Sequence, residues 1–112
     1  MNDTAMNDFT TPPGHVAFLA KRLFGAQGEL LDGSIARLEA GGGGPVEPHT
    51  HPHDHLFIVV SGQARVVADG KEIVVHEGES YRVNGSTLHS VWNDSTKPTV
   101  MIGLSVGTKN TK

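Results

Sequence analysis

Four histidines stand at alternate positions in the segment HTHPHDH, near the middle of the chain. They are His49, His51, His53 and His55. Because successive side chains of a β-strand point to opposite faces, an extended chain would direct all four imidazoles to one side. Imidazole nitrogen is a common ligand of transition metals in proteins. The spacing therefore predicts a metal site.

The chain contains no cysteine, so nitrogen and oxygen atoms must hold any metal. One local segment rarely completes a coordination shell, and we expect a distant histidine to join it, with His89 in the apolar stretch 88–92 as the natural candidate. Pro52 can turn or bulge the segment, so the alternation alone does not decide which of the two later histidines point inward. The alternative interpretation is a solvated histidine-rich loop or a tag remnant, but a tag would be contiguous and terminal.

Short apolar segments separated by turn residues dominate the rest of the chain. Turn dipeptides follow the apolar runs at 61–62, 69–70 and 77–78, which is typical of antiparallel strands of about five or six residues. We expect a hairpin turn at Asp32-Gly33 and an intra-domain loop at Gly41–Pro45. Residues 15–24 fit either a short helix or an edge strand, and residues 1–14 are expected to form a flexible arm.

Length, charge and the absence of long apolar runs limit the number of domains and the kinds of partner that the protein can have. One hundred and twelve residues allow one domain, with a core over about 30–106. Nine basic and twelve acidic residues give a net charge of −3, which argues against a nucleic-acid partner. No apolar run reaches the roughly 18 residues that cross a bilayer, and the first residues lack a signal-peptide pattern, so we expect a cytoplasmic protein without a membrane partner.

Two longer patterns resemble the motifs of the cupins, which are small jelly-roll β-barrels. The first motif, G-x5-H-x-H-x3-4-E-x6-G, is matched by Gly43, His49, His51 and Gly62, with His55 in the place of the glutamate. The second, G-x5-P-x-G-x2-H-x3-N, is matched at its outer positions, with two substitutions in its central turn. The matched residues are Gly78, His89 and Asn93, and the substituted ones are Asn84 and Ser86.

This resemblance implies an all-β fold, the cupin jelly-roll barrel or double-stranded β-helix. It also implies that the metal ligands are His49, His51, His55 and His89, as in the small four-histidine cupins, some of which bind manganese. The resemblance favours Mn or Fe, whereas imidazole chemistry is also compatible with Zn, Ni or Cu. Small cupins are commonly dimers, so a homodimer is expected.

The resemblance implies two classes of function for a small polar ligand. The first is a metal-dependent enzyme of the oxygenase type or, alternatively, a sugar or small-acid isomerase. The second is a non-catalytic domain that binds a metal and a small ligand. With glutamate absent from the first motif, the candidates for proton transfer or substrate binding are Tyr81, Arg37 and His53. A core role for the tyrosine and an outward-facing arginine are the alternative interpretations.

Overall fold

The computed structural model describes residues 8–107, and these residues form β-strands without any helix. Within this part of the chain no helix is therefore long and apolar enough to cross a membrane. The strands are β1 (Val16–Phe24), β2 (Leu30–His49), β3 (Asp54–Ser61), β4 (Gln63–Ala68), β5 (Lys71–His76), β6 (Ser80–Val83), β7 (His89–Trp92) and β8 (Thr99–Val106).

The strands build a nearly closed antiparallel barrel in the order β5-β4-β7-β2-β8-β3-β6, with β1 paired to β2. The long strand β2 connects the two sides of the barrel. Its first part pairs with β8 from Leu30 to Leu38, and its last part pairs with β7 from Gly43 to His49. This is the jelly-roll architecture expected for a cupin.

Strand β2 corrects two predictions. Asp32 and Gly33 do not form a hairpin turn, because they pair with Ser105 and Leu104 of β8 inside a continuous strand. The glycine run is not a loop but part of the same strand. A Cβ atom on Gly43 would overlap the carbonyl of Val91, so a glycine at this position is needed for the close approach of β7.

The N-terminal region is attached to the barrel. Residues 16–24 form strand β1, which decides between the two predicted alternatives in favour of a strand. The backbones of Thr10 and Ala20 exchange two hydrogen bonds of 2.9 and 2.7 Å, and the Val46 N–H donates to the Gly14 carbonyl at 2.8 Å. Residues 8–14 are therefore not a loose arm, and residues 1–7 of the predicted arm lie outside the described residues.

The apolar core fills the barrel and borders its cavity. Leu38, Val59 and Val66 are at most 1% exposed, and each such buried side chain contributes about 1.5–3 kcal/mol to folding. Other core residues, Val91 and Met101 among them, also line the cavity described below. The core thus holds in place the strands that carry the polar cavity residues.

Asn93, from the second motif, stabilises the turn between β7 and β8. Its side chain is fully buried, and its amide donates to the carbonyls of Leu38 at 3.0 Å and Lys97 at 2.8 Å. Its Oδ1 accepts from the backbone N–H and the hydroxyl of Ser95 at 2.9 and 2.8 Å. All of its hydrogen-bonding groups are used within the protein, so its role is structural.

Candidate metal centre

Three histidines from separate parts of the chain converge at one end of the barrel. His51 lies in the loop between β2 and β3, His55 lies on β3, and His89 is the first residue of β7. Each offers one ring nitrogen, and these atoms all lie within 4.8 Å of one another. Their ring centroids are 4.9 to 5.3 Å apart.

The convergence depends on a contact between two loops. Strand β2 ends at His49 and β3 begins at Asp54, so the HTHPHDH segment is not one extended strand. The loop between them packs on Gly85, whose carbonyl accepts a 2.7 Å hydrogen bond from the His51 N–H. A Cβ atom on Gly85 would overlap the carbonyl of His53. Only glycine allows the two loops to approach this closely.

Asp54 holds the other side of the same contact. Its buried carboxylate accepts from the Gly85 N–H at 2.9 Å and from Nε and Nη2 of Arg82 at 3.1 and 2.9 Å. The backbone hydrogen bond from Gly85, followed by the hydrogen bond from Arg82, lowers the pKa of this carboxyl. The hydrogen bonds of the Asp54 carboxylate thus hold the start of β3 against the loop that precedes His89.

The ring of His89 is oriented by a backbone carbonyl. His89 is 4% exposed, and its Nδ1 lies 2.8 Å from the carbonyl oxygen of Thr87. Because a carbonyl can only accept, the hydrogen bond requires a proton on Nδ1, and Nε2 then carries the free lone pair. Such a contact is the usual way in which a protein orients a metal-binding histidine.

Burial favours the uncharged form of His51 and His55. Burial, together with the neighbouring His89 and His51, lowers the pKa of His55 to about 4. Burial also lowers the pKa of His51, with His89 as the next contributor. At neutral pH these imidazoles are unprotonated, which is the form that coordinates a metal.

The three rings fit a divalent transition metal. Zinc–imidazole bonds of about 2.0–2.1 Å place two ligand nitrogens at most about 4.2 Å apart, so small side-chain movements suffice to bring the three nitrogens to one ion. Nitrogen donors alone suit Zn, Cu, Ni or Fe. Neutral imidazoles would leave the ion its full charge, which favours anionic ligands.

The other two histidines of the segment lie beside this group. His49 pairs with His89 across β2 and β7 and lines the same cavity, but it is not part of the close group, and its ring centroid is 6.4 Å from that of His51. Its role as a fourth ligand stays a prediction. His53 stacks on His51 with centroids 5.1 Å apart and an interplanar angle of 15°, outside the residues that line the cavity.

Arg37 and Tyr81 are not brought to the cavity either. The Arg37 guanidinium donates to the exposed Glu39 carboxylate at 2.7 Å, on the outer face of β2. Tyr81 packs against the hydrophobic core. Neither lines the cavity, so the structure lends no support to their predicted substrate-binding roles, nor to that of His53.

The histidines open into a cavity of about 300 Å³ inside the barrel. Most of its wall is apolar and includes Phe18, Phe57 and Met101, while Pro12 and His15 contribute from the N-terminal region.

The polar lining residues that sequence reasoning missed are Asp32, Ser34 and Ser105. Alternation with apolar residues along their strands is the sequence signal for these positions, although the Asp32-Gly33 pair by itself predicts a turn.

Comparisons with known proteins agree with this architecture. The family model for the Cupin domain (Cupin_2) matches residues 34–107. No curated protein sequence matches the chain. The Cupin_2 domain of an XRE family transcriptional regulator from Enterobacter cloacae is similar in structure, with a TM-score of 0.72 and 22% identity over 84% of this chain and 100% of that one.

Two further similar structures carry enzyme names. The polyketide cyclase RemF from Streptomyces resistomycificus has a TM-score of 0.72 and 17% identity, covering 88% of this chain and 71% of that one. A predicted oxalate decarboxylase from Thermotoga maritima has a TM-score of 0.74 and 12% identity, covering 91% and 96%. Such low identities show a common fold alone. Given the family-model match and the jelly-roll barrel, the chain belongs to the cupin family.

Proposed function

We propose that this cupin binds a divalent transition-metal ion at His51, His55 and His89, with His49 as the fourth ligand, and acts as an oxygenase-type enzyme on a small polar molecule. The observation that carries the proposal is the close group of three imidazoles that faces a cavity of about 300 Å³. A cavity of this size suits a small ligand. The family resemblance favours Mn or Fe, and the nitrogen donors are also compatible with Zn, Ni or Cu.

The protein's own groups have clear tasks in this scheme. The Thr87 carbonyl orients His89, and the Gly85 backbone fixes the loop that carries His51. The apolar walls exclude water from the substrate and strengthen polar interactions inside the cavity. A bound ion would supply Lewis-acid and, for Fe or Mn, redox chemistry.

A second candidate is a non-catalytic domain that binds a metal and a small ligand. Among the described residues that line the cavity, Asp32 is the one carboxylate, and no histidine outside the candidate ligands other than His15 is available for proton transfer. The Enterobacter domain belongs to a regulator, whereas the cyclase and the predicted decarboxylase are named as enzymes. An isomerase-type activity on a sugar or small acid is a third possibility of the same fold.

Metal reconstitution and oxygen uptake separate these candidates. The purified chain is stripped with a chelator, loaded in turn with Mn²⁺, Fe²⁺ and Zn²⁺, and analysed for bound metal by mass spectrometry. His55→Ala should lose the metal, and Glu39→Gln, an outward-facing change, should retain it. Failure to bind any of the three ions would contradict the metal site.

Loaded protein is then tested for oxygen consumption with small diketones, phenols and thiols. Oxygen uptake that depends on His55 supports the enzyme. If none of these compounds causes oxygen consumption although a small ligand still binds, the non-catalytic domain is favoured. The expected homodimer is tested separately by light scattering, where a monomer mass at micromolar concentration would contradict it.

A further inference from the structure

A row of polar residues crosses three adjacent strands on the cavity side of the barrel. Asp32 of β2 pairs with Ser105 of β8, and Ser105 pairs in turn with His55 of β3. All three residues line the cavity. Neighbouring strands are about 4.8 Å apart, so the backbone of Asp32 lies about 10 Å from that of His55. The row places a carboxylate and a hydroxyl within reach of a ligand that touches the histidines.

The hydroxyl groups of Ser105 and of the nearby Ser34 have no hydrogen-bond partner among the described residues. Ser105 is only 8% exposed, and among residues 8–107 neither its side chain nor that of Ser34 makes a hydrogen bond. Ser34 faces the same cavity one pleat further along β2. Buried hydroxyls are normally hydrogen-bonded, because leaving one unpaired costs about 1–3 kcal/mol. A partner outside the protein, in the cavity, would satisfy them.

The charge of the cavity wall favours a hydrogen-bond donor. Among the described residues that line the cavity there is no lysine or arginine, and Asp32 carries the fixed negative charge. Its neighbour Arg22 lies 3.7 Å away, beyond hydrogen-bond distance, and is 68% exposed in its side chain. Because this distance is too long for a hydrogen bond, the oxygens of the half-buried Asp32 carboxylate keep their capacity to accept one.

We propose that Asp32, Ser34 and Ser105 form a second subsite that binds a hydroxyl or amine group of the substrate, at the end opposite to the group that faces the histidines. The apolar residues that line the same cavity, which include Phe57 and Met101, are available to contact a short carbon chain. This inference rests on the proposed function, and it names the substrate class as small acids with a hydroxyl or amine a few carbons from the acid group.

The test uses butyrate, 4-hydroxybutyrate and 4-aminobutyrate as probes. Each is titrated into ¹⁵N-labelled protein loaded with Zn²⁺, which is diamagnetic, and affinities are read from amide shifts. We expect one or both of the substituted acids to bind the wild type about fivefold more tightly than butyrate. The substituted acid that binds more tightly than butyrate identifies the donor group as a hydroxyl or an amine.

Two variants and a control locate the effect. In Asp32→Asn and in Ser105→Ala the advantage should fall below about twofold, while butyrate affinity and zinc content stay unchanged. Glu39→Gln, on the outer face of β2, should preserve the advantage. Dispersed amide spectra establish that each variant is folded. Equal affinities for all three acids in the wild type, no binding at millimolar concentration, or an advantage that survives both variants would overturn the subsite.

The same titrations on chelator-treated protein keep the two proposals separable. If the chain takes up no zinc, the metal site is contradicted, and the difference between 4-hydroxybutyrate and butyrate in metal-free protein still decides the subsite. If zinc binds but the difference is absent, the subsite fails and the metal site stands.

Discussion

The backbone N–H of His51 donates a 2.7 Å hydrogen bond to the carbonyl oxygen of Gly85. This bond joins the loop of the first motif to the loop that leads into β7 and His89. The Gly85 N–H simultaneously donates to the Asp54 carboxylate at 2.9 Å. Gly85 therefore fixes the two histidine-bearing segments from both of its backbone groups, although it is not itself a ligand.

Gly85→Ala should weaken the metal site and the fold together. The added methyl would overlap the His53 carbonyl, so the loops must separate, at a cost of about 1–3 kcal/mol in the free energy of unfolding. Metal content after reconstitution and urea denaturation measure the two effects. Gly25→Ala is the matched control, because a Cβ atom there meets no atom within 4 Å. Unchanged metal binding in Gly85→Ala would contradict the role of this contact.

His51→Ala should reduce bound metal sharply, whereas His53→Ala should not. The His51 ring belongs to the close group of nitrogens, and the His53 ring stacks on its outer side. Elemental analysis of both variants, loaded in parallel, tests the assignment. His76→Ala, on the exposed end of β5, serves as the control. An equal loss in His51→Ala and His53→Ala would show that the ligands have been assigned wrongly.

The metal-free protein should become less stable on mild acidification. The folded-state pKa of His55 is about 4, below the ordinary value of 6.5, so the unfolded chain takes up the proton first. The stabilising contribution of the uncharged His55 is therefore fully present above pH 6.5, and it is lost progressively as the pH falls towards 4. Between pH 7.5 and pH 5 this group contributes about 2 kcal/mol of destabilisation.

Urea denaturation in the presence of a chelator at the two pH values measures this difference. His55→Gln should reduce the pH dependence because the group no longer titrates, and His76→Gln, an exposed histidine, should leave it unchanged. A pH dependence that is the same in His55→Gln and wild type would be incompatible with a buried neutral His55.

Asn93→Ala should destabilise the fold without removing the metal. Its loss leaves the Leu38 carbonyl without its buried amide partner and frees the Ser95 turn, at a cost of about 2–4 kcal/mol. Asn84→Ala is the control, since Asn84 also accepts two hydrogen bonds, from Ser86, but is exposed. Thermal unfolding compares the variants, and a change of similar size in both would contradict the structural role of Asn93.

Much of the barrel and of the candidate metal site could be predicted from patterns in the sequence. Turn dipeptides at 61–62 and 69–70 separate β3, β4 and β5 in the structure, because a tight turn needs residues that tolerate its backbone angles. The resemblance to the two cupin motifs implied the barrel and the ligand set His49, His51, His55 and His89. Three of these histidines do form the close group, and the fourth lies beside it.

Local pattern failed where pairing across the sheet decided the structure. Asp32-Gly33 has the residue types of a turn, yet β1 and β8 pair with Gly33 on either side and hold it extended. The partners in those pairings lie outside the segment around Asp32. The residues of that segment alone therefore do not indicate that the strand continues through it.

By itself, the sequence determined which residue types could bind a metal and that short strands would carry them. Only the tertiary structure decided that Asp32 and Ser105 face the same cavity as His55, and that Arg37 and Tyr81 do not. The physical reason is strand register: a shift of one residue turns every side chain of a strand to the opposite face, and register is set by partners that the local sequence does not name.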